Sequence, residues 1–242
     1  MARRVLLVSS STCHPTGFLD HAEGELRDFL GAARGVLFLP WALGDRDTYA
    51  AKVRERLARM GYEVESAHQS ADPGRAVAAA EAVFAGGGNT FRLLKTLYEH
   101  DLLTPLRSRV AEGMPYVGSS AGSNVAGPTI RTTNDMPIVE PPSLTALGLV
   151  PFNLNPHYLD PDPASTHKGE TREERIAQFH EENDPPVVGL REAAMLRIEE
   201  NEVRLGGAAG ARIFLKGEAP FETRPGERLD FLLGNPSWCI NL

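Results

Sequence analysis

The first half of the chain alternates short apolar runs with segments of helical periodicity. Between the runs, apolar side chains recur three or four positions apart, the spacing of a helix with one buried face. This alternation predicts an α/β fold with an open, doubly wound and mostly parallel sheet of the flavodoxin-like kind. Loops at the carboxyl ends of such strands share one crevice, where ligands bind. The predicted strands are residues 5–8, 36–39, 62–64, 82–85 and 116–118.

The second half of the chain has a different pattern. Thr171, with Glu174 three positions later, is typical of a capping box that opens a helix. Beyond it, short apolar runs separated by Asn, Glu and Gly predict a C-terminal meander of antiparallel strands, which we expect to extend the edge of the same domain. These runs are residues 187–190, 194–198, 203–205 and 212–215. We predict a single domain over residues 1–234 and a loosely held tail at 235–242.

The composition excludes several classes of protein. Of 242 residues, 42% are apolar and 24% charged, with a net charge of −7, which is too apolar for a disordered chain. Cys13 and Cys239 can build neither a disulfide scaffold nor a C-x-x-C zinc site. No window is strongly basic, so we expect no nucleic-acid partner. The apolar stretch at 5–8 is too short for a signal peptide or a membrane span, and we expect a reduced, cytoplasmic setting without membrane contact.

The segment from Gly118 to Gly122 reads G-x-S-x-G and follows a predicted strand directly. In this pattern the serine, here Ser120, sits on a sharp strand-to-helix turn with its hydroxyl projecting from the end of the strand. Small flanking residues permit the strained turn, and the free N–H groups of a helix start suit a developing oxyanion. The competing interpretation is a plain turn, because glycine and serine also build those.

A serine nucleophile needs a base and a carboxylate that orients it. Among seven histidines, His157 is the strongest candidate, because residues 152–156 look like a buried strand that ends in a proline-fixed turn. His14, after the first strand, is a weaker candidate, and a structural role for His157 stays open. Asp135 lies in a polar loop 15 residues after the serine, and Glu192 stands at a predicted strand end. Either carboxylate could orient the histidine, or be a surface charge.

Three glycines, Gly86 to Gly88, end the fourth predicted strand and are followed by Asn89 and Thr90, which can cap a helix. Their exposed N–H groups suit either a phosphate or an oxyanion. The dinucleotide pattern G-x-G-x-x-G is not matched, and no P-loop lysine follows. The next predicted strand ends in the G-x-S-x-G turn at residues 118–122, here called the serine elbow. We therefore interpret the glycine-rich turn as one wall of an oxyanion hole rather than as a phosphate site.

Several of these segments together resemble the peptidase E family of aspartyl dipeptidases, in the class-I glutamine-amidotransferase-like superfamily. The resemblance covers roughly residues 4–217, and its longest motifs are specific in combination. It implies a serine hydrolase that releases N-terminal aspartate from Asp-X dipeptides without a metal or cofactor. The motifs are GGGNTF at 86–91, GSSAG at 118–122, IRTTNDMPI at 130–138, NPH at 155–157 and HKGETRE at 167–173.

The resemblance also implies roles for individual residues. Ser120 would be the nucleophile and His157 the base, and the N–H groups of Gly88 and Ala121 would form the oxyanion hole. Asp135 and Glu192 both match carboxylates of the family pattern, so both are retained. One departure is Ser119, where relatives often carry a bulky aromatic residue. Strand alternation points Ser119 away from the side that Ser120 faces.

An aspartyl substrate needs a fixed cation, and Arg131 is the best-placed candidate by position, although a surface role for it is at least as plausible. Asn89 is a second substrate-binding candidate. The expected partner is a small peptide with N-terminal Asp, and the oligomeric state stays open.

The spacing of the catalytic candidates argues against an α/β-hydrolase esterase. Ser120 at the elbow argues against a cysteine-dependent amidotransferase. The alternatives that stay open are a cyanophycinase-like hydrolase of an aspartyl polymer and a noncatalytic binding module on the same fold.

Overall fold

A computed structural model describes residues 3–161, 164, 166 and 169–234. The strands in this part of the chain are β1 (Arg4–Val8), β2 (Gly35–Leu39), β3 (Glu63–Ser66), β4 (Ala82–Ala85), β5 (Tyr116–Ser119), β6 (Asn153–Pro156), β7 (Val187–Leu190), β8 (Ala194–Glu199), β9 (Glu202–Gly207), β10 (Ala211–Phe214) and β11 (Phe221–Thr223). The α-helices are α1 (Glu23–Leu30), α2 (Arg46–Ala58), α3 (Pro73–Ala79), α4 (Thr90–Glu99), α5 (Leu103–Ala111), α6 (Ala121–Asn124) and α7 (Arg172–Glu182). The expected tail at 235–242 lies outside the described residues.

The larger sheet has seven strands in the order β3-β2-β4-β5-β1-β8-β9. Its first five strands run parallel, and Val5 of β1 lies opposite Tyr116 of β5. All four residues of β4 and of β5 are buried, as in a parallel sheet covered by helices on both faces. The prediction of a mostly parallel α/β sheet with an antiparallel extension is therefore confirmed, since β8 and β9 continue it in antiparallel fashion beside β1.

A second sheet of four strands has the order β11-β10-β7-β6. We expected the four C-terminal runs to form one meander, but the structure divides them between the two sheets. Only three residues separate β7 from β8, and Ala193 among them has a φ of 64°. This tight turn carries the chain from the second sheet to the first, where β8 lies between β1 and β9. β7 pairs in parallel with β6, which follows the elbow segment.

Four of the described helices, α2, α3, α4 and α7, begin at side-chain caps. Asp45 accepts a hydrogen bond from the Thr48 N–H at the start of α2, and Asp72 accepts one from the Arg75 N–H at the start of α3. The capping box of Thr171 and Glu174 is confirmed at the start of α7, with both reciprocal hydrogen bonds present.

One apolar core contains residues from both sheets. Leu7 and Leu39 of the larger sheet belong to the same buried cluster as Leu154 and Ile213 of the smaller one. A second cluster fills the opposite face of the larger sheet, where Leu6 and Phe38 lie with residues of α1 and α2. The shared core fixes the two sheets relative to each other. Among the described residues, no helix combines the length and apolarity that crossing a membrane requires.

Candidate active site

Ser120 lies between the end of β5 and the start of α6, with φ 50° and ψ −104°. A residue with a Cβ rarely adopts this backbone conformation, and such strain is found at nucleophile elbows. The turn is held by Val8 at the end of β1, whose carbonyl accepts hydrogen bonds from the Ser120 N–H at 3.0 Å and from the Ser123 hydroxyl at 2.8 Å. The Ser123 hydroxyl also lies 2.9 Å from the carbonyl oxygen of Gly118.

The two glycines of the elbow are required by close backbone contacts. A Cβ at Gly122 would lie 2.1 Å from the carbonyl oxygen of Ala85, at the end of β4. A Cβ at Gly118 would lie 2.5 Å from the carbonyl oxygen of Gly122. Any larger residue at either position would push α6 away from the sheet and move Ser120.

His157 follows β6 in the second sheet and also has a positive φ, of 53°. Its N–H donates to the Ser9 hydroxyl at 3.0 Å, and that hydroxyl in turn donates to the Leu190 carbonyl at the end of β7. The imidazole is thereby turned toward the elbow, and its Nε2 lies 3.0 Å from Ser120 Oγ. This distance is within the reach of a general base.

Glu192 completes a hydrogen-bonded chain. Its Oε1 lies 2.8 Å from His157 Nδ1. Because a carboxylate only accepts, Nδ1 carries the proton, and Nε2 is left to accept the proton of the Ser120 hydroxyl. The His157 and Glu192 side chains are 43% and 52% exposed, so solvent reaches both of them.

Asp135 has different partners from Glu192. Its Oδ2 accepts hydrogen bonds from the Thr90 N–H at 2.7 Å and the Thr90 hydroxyl at 2.5 Å. Asp135 therefore ties the loop after the elbow to the start of α4. Of the two carboxylates that the sequence left open, the structure places Glu192 on His157.

Asn89 caps α4 and also bonds the same loop. Its side-chain oxygen accepts from the Arg92 N–H at 3.0 Å, and its amide donates to the Met136 carbonyl at 2.8 Å. Both functional groups of this substrate-binding candidate are thus occupied within the protein.

The glycine-rich turn after β4 presents N–H groups beside Ser120. Gly87 donates to the hydroxyl of Tyr49, which is buried and whose pKa is raised to about 12 by burial. Among the described residues, no acceptor takes the N–H of Gly88 or of Ala121. Gly88 has a φ of +135°, and a Cβ there would lie 2.6 Å from the Ala42 carbonyl oxygen. Free N–H groups at an elbow are suited to stabilise an oxyanion.

The predicted substrate cation, Arg131, is exposed, and its N–H lies 3.4 Å from Thr129 Oγ1. Arg172, at the start of α7, is half-buried and donates to Asn134 Oδ1 at 2.6 Å. Asn134 itself donates to the carbonyl of Pro156, the residue before His157. Burial, and secondarily the charge of Arg175, lower the pKa of Arg172. Among the described residues, no carboxylate pairs with Arg172, so a bound anion beside its guanidinium would stabilise the positive charge.

Ser9, Tyr49 and Arg172 were not among the residues singled out from the sequence. The strand-end position of Ser9 was a usable signal, because every residue that ends a parallel strand is a site candidate. The first two residues of the HKGETRE motif, at 167 and 168, lie outside the described part of the chain. Ser119 is buried, and its hydroxyl has no hydrogen-bond partner among the described residues.

A cleft of about 510 Å³ opens beside the catalytic candidates and includes Ser120, His157 and Gly88 in its wall. Within the residues described, no group of three or more His, Cys, Asp or Glu side chains could hold a metal ion. The chemistry that the crevice offers is a serine hydroxyl, an oriented imidazole and free backbone N–H groups, which together suit acyl transfer.

Residues 5–206 match the model of peptidase family S51. A protein named peptidase E from Streptomyces coelicolor is 55% identical over 229 residues, which are 95% of this chain and 94% of that protein. A protein from Drosophila melanogaster, named "Probable alpha-aspartyl dipeptidase", is 50% identical over 96% of this chain and 98% of its own length.

The fold is also similar to a solved structure. The crystal structure of a peptidase from an acI-B1 actinobacterium superposes with a TM-score of 0.71 over 95% of this chain and 97% of that chain, at 19% identity. At this identity the likeness concerns the fold alone.

Proposed function

Because the chain belongs to peptidase family S51, and is thus a serine peptidase, we propose that it hydrolyses dipeptides with an N-terminal aspartate. In this proposal Ser120 is the nucleophile, His157 the general base and Glu192 the carboxylate that orients it. The names of the relatives support the substrate, since one is named an alpha-aspartyl dipeptidase and another peptidase E.

The observation that carries the proposal is the continuous chain of contacts from Ser120 Oγ through His157 to Glu192, at 3.0 Å and 2.8 Å. This chain of contacts lies beside the N–H groups of Gly88 and Ala121, for which no described residue provides an acceptor. A noncatalytic binding module would have no need of an oriented histidine and a strained serine in this arrangement.

Acylation begins when His157 Nε2 takes the proton of the Ser120 hydroxyl and Oγ attacks the carbonyl carbon of the peptide bond. The carbonyl oxygen becomes an oxyanion, and the N–H groups of Gly88 and Ala121 stabilise it. The intermediate collapses as the C–N bond breaks, and His157 gives its proton to the leaving nitrogen. The products of this step are the free C-terminal amino acid and an aspartyl ester of Ser120.

Deacylation repeats the same proton transfers with water. His157 takes a proton from a water molecule, whose oxygen attacks the ester carbon. The ester bond to Ser120 breaks, and the proton on Nε2 returns to Oγ as aspartate leaves. Glu192 accepts the Nδ1–H bond throughout and stabilises the imidazolium that forms in each half of the cycle.

We propose that Arg172 binds the side-chain carboxylate of the aspartyl residue. Its guanidinium donates a hydrogen bond to Asn134, and Asn134 donates one to the carbonyl of Pro156, the residue that precedes His157. An arginine can donate two parallel N–H bonds to the carboxylate of an aspartyl substrate. The side-chain amide of an asparaginyl substrate would bind the arginine less strongly, because it carries no negative charge. Arg131 is the competing candidate, taken from its position in the sequence.

The substrate proposal is tested by comparing turnover of Asp-Leu and Asn-Leu in the wild type, Arg172→Met and Arg131→Met. We expect the wild type to prefer Asp-Leu, and Arg172→Met to lose that preference by about 10- to 100-fold, the value of a charge-assisted hydrogen bond. Arg131→Met is the matched control and should keep the preference.

Equal turnover of Asp-Leu and Asn-Leu by the wild type would refute the aspartyl specificity. A preference lost in Arg131→Met and kept in Arg172→Met would instead assign the carboxylate to Arg131.

A further inference from the structure

The cleft beside Ser120 is lined by parts of the chain other than the residues proposed to hold the aspartyl side chain. Its lining comes from the loop after β1, from the loop before α2, and from α2 itself. Arg172, Asn134 and Asp135 are not part of this lining. Gly87, Gly88, Ser120 and His157 complete the lining.

The walls of the cleft suit a variable amino-acid side chain. Phe18, Leu43 and Tyr49 supply apolar surface, and the volume of about 510 Å³ is larger than a short carboxylate side chain needs. His157 lines the same cleft, and it must protonate the nitrogen of the departing residue. In the proposed mechanism the departing residue therefore occupies this cleft.

Among the described residues of this lining, Lys52 is the one lysine or arginine. Its ammonium group lies 4.4 Å from the centre of the Phe18 ring, a cation–π contact that holds it at the cleft. Among the described residues, no carboxylate lies within ion-pair distance of it. The acidic residue of the lining, Asp45, is engaged as the cap of α2, where its Oδ1 lies 3.0 Å from the Thr48 nitrogen.

We propose that Lys52 binds the free C-terminal carboxylate of the departing residue and so makes the enzyme select dipeptides over longer or C-terminally blocked peptides. This inference rests on the proposed function. A dipeptide places its C-terminal carboxylate one residue beyond the bond that is cleaved, within the cleft. In a longer peptide or a peptide amide, a neutral amide occupies that place, and the ammonium group stays unpaired.

The test compares kcat/KM for Asp-Leu with kcat/KM for Asp-Leu-amide, which carries the same aspartyl residue and the same leaving side chain. We expect the wild type to favour Asp-Leu, and Lys52→Met to lower the ratio of the two values by about 10-fold, the effect of one charge-assisted bond. Lys52→Arg should restore part of the ratio, because it restores the charge.

Lys95→Met is the matched control. Lys95 is also a lysine on a helix and is partly exposed, but it lies on α4 and pairs with Glu99 at 3.8 Å. We expect its ratio to equal that of the wild type. Far-UV circular dichroism of both methionine variants checks that the helices are retained.

Each outcome either supports or refutes the proposed role of Lys52. If the wild type hydrolyses Asp-Leu but shows no preference over the amide, or if Lys52→Met keeps the preference, the role of Lys52 is refuted while the proposed function stands. An equal loss on both substrates in Lys52→Met would place the ammonium on the aspartyl side chain and also refute it. Absence of turnover on every Asp-X dipeptide would overturn the proposed function and this inference together.

Discussion

At the scale of single residues, the choice between Glu192 and Asp135 depends on which hydrogen bonds each carboxylate makes. Glu192 accepts from His157 Nδ1, and Asp135 accepts from both polar groups of Thr90. Asp135 lies in a polar loop and Glu192 at a predicted strand end, and neither position shows from the sequence alone which carboxylate contacts the histidine. The direction in which a loop carries its side chain is decided by tertiary packing.

Substitution of the two carboxylates separates their roles. Glu192→Gln keeps the size of the side chain but can present an amide to His157 and favour the wrong tautomer, so kcat/KM for Asp-Leu should fall by about 10³- to 10⁴-fold. In Asp135→Asn the side-chain oxygen can still accept from Thr90, so the loss should be at least 10-fold smaller. Steady-state kinetics at pH 7 measures both. A larger loss in Asp135→Asn would transfer the orienting role to that residue.

At the scale of secondary-structure elements, the loops after β6 and β7 are joined by a cluster of charges. Arg191 donates two hydrogen bonds to Asp160, at 2.8 Å and 2.6 Å, and also contacts Glu222 of β11 at 2.8 Å. These loops carry His157 and Glu192. The cluster therefore links the loop that carries His157 to the loop that carries Glu192.

The charge cluster predicts a dependence of stability on pH. Hydrogen bonds from Arg191 lower the pKa of Asp160 and of Glu222 below the ordinary values. A lowered folded-state pKa contributes stability that is present above the unfolded-state pKa of about 4 and is lost as the pH falls through the folded-state value.

Arg191→Met should therefore lower the free energy of unfolding by about 1 kcal/mol at pH 7, since the partners are half exposed. The difference between variant and wild type should shrink at pH 3, where the carboxylates protonate. Urea unfolding at the two pH values measures it. A difference that is unchanged or larger at pH 3 would show that the charges are not its source.

The elements also show how far the sequence can predict this fold. The first five strands and the helix that begins at the capping box occupy their predicted places, because apolar runs and caps are local signals. The division of β7 to β10 between two sheets was not predicted, because the alternation within a strand indicates its buried face and not its partner. Helices α3 and α5 were not singled out either.

At the scale of the whole molecule, the proposed catalytic groups come from two sheets. Ser120 and the glycine-rich turn end strands of the seven-stranded sheet, whereas His157 and Glu192 follow strands of the four-stranded one. The shared apolar core and the Ser9 hydroxyl hold the sheets together at the crevice. The contact between His157 and Ser120 therefore depends on how the two sheets pack against each other.

The protein carries a net charge of −7, yet a dipeptide with N-terminal aspartate is itself an anion and needs local positive charge where it binds. A dipeptide with N-terminal aspartate carries two carboxylates, and we propose a separate cation for each, neither of which pairs with a carboxylate among the described residues. These are Arg172 on the proposed aspartyl side and Lys52 on the proposed leaving side. Local cations within an acidic surface can bind a small anion without making the whole protein attractive to polyanions.

The adjacent hydroxyls of Ser119 and Ser120 provide the most direct test of the nucleophile. Hydrolysis of Asp-Leu should be measured for Ser120→Ala and, as the matched control, for Ser119→Ala. Ser120→Ala should reduce kcat/KM by about 10⁴-fold or more, because the nucleophile is lost. Ser119→Ala should stay within a few fold of the wild type, because its hydroxyl is buried and has no partner in the described structure. Turnover that survives in Ser120→Ala, or is abolished in Ser119→Ala instead, would contradict the assignment of Ser120.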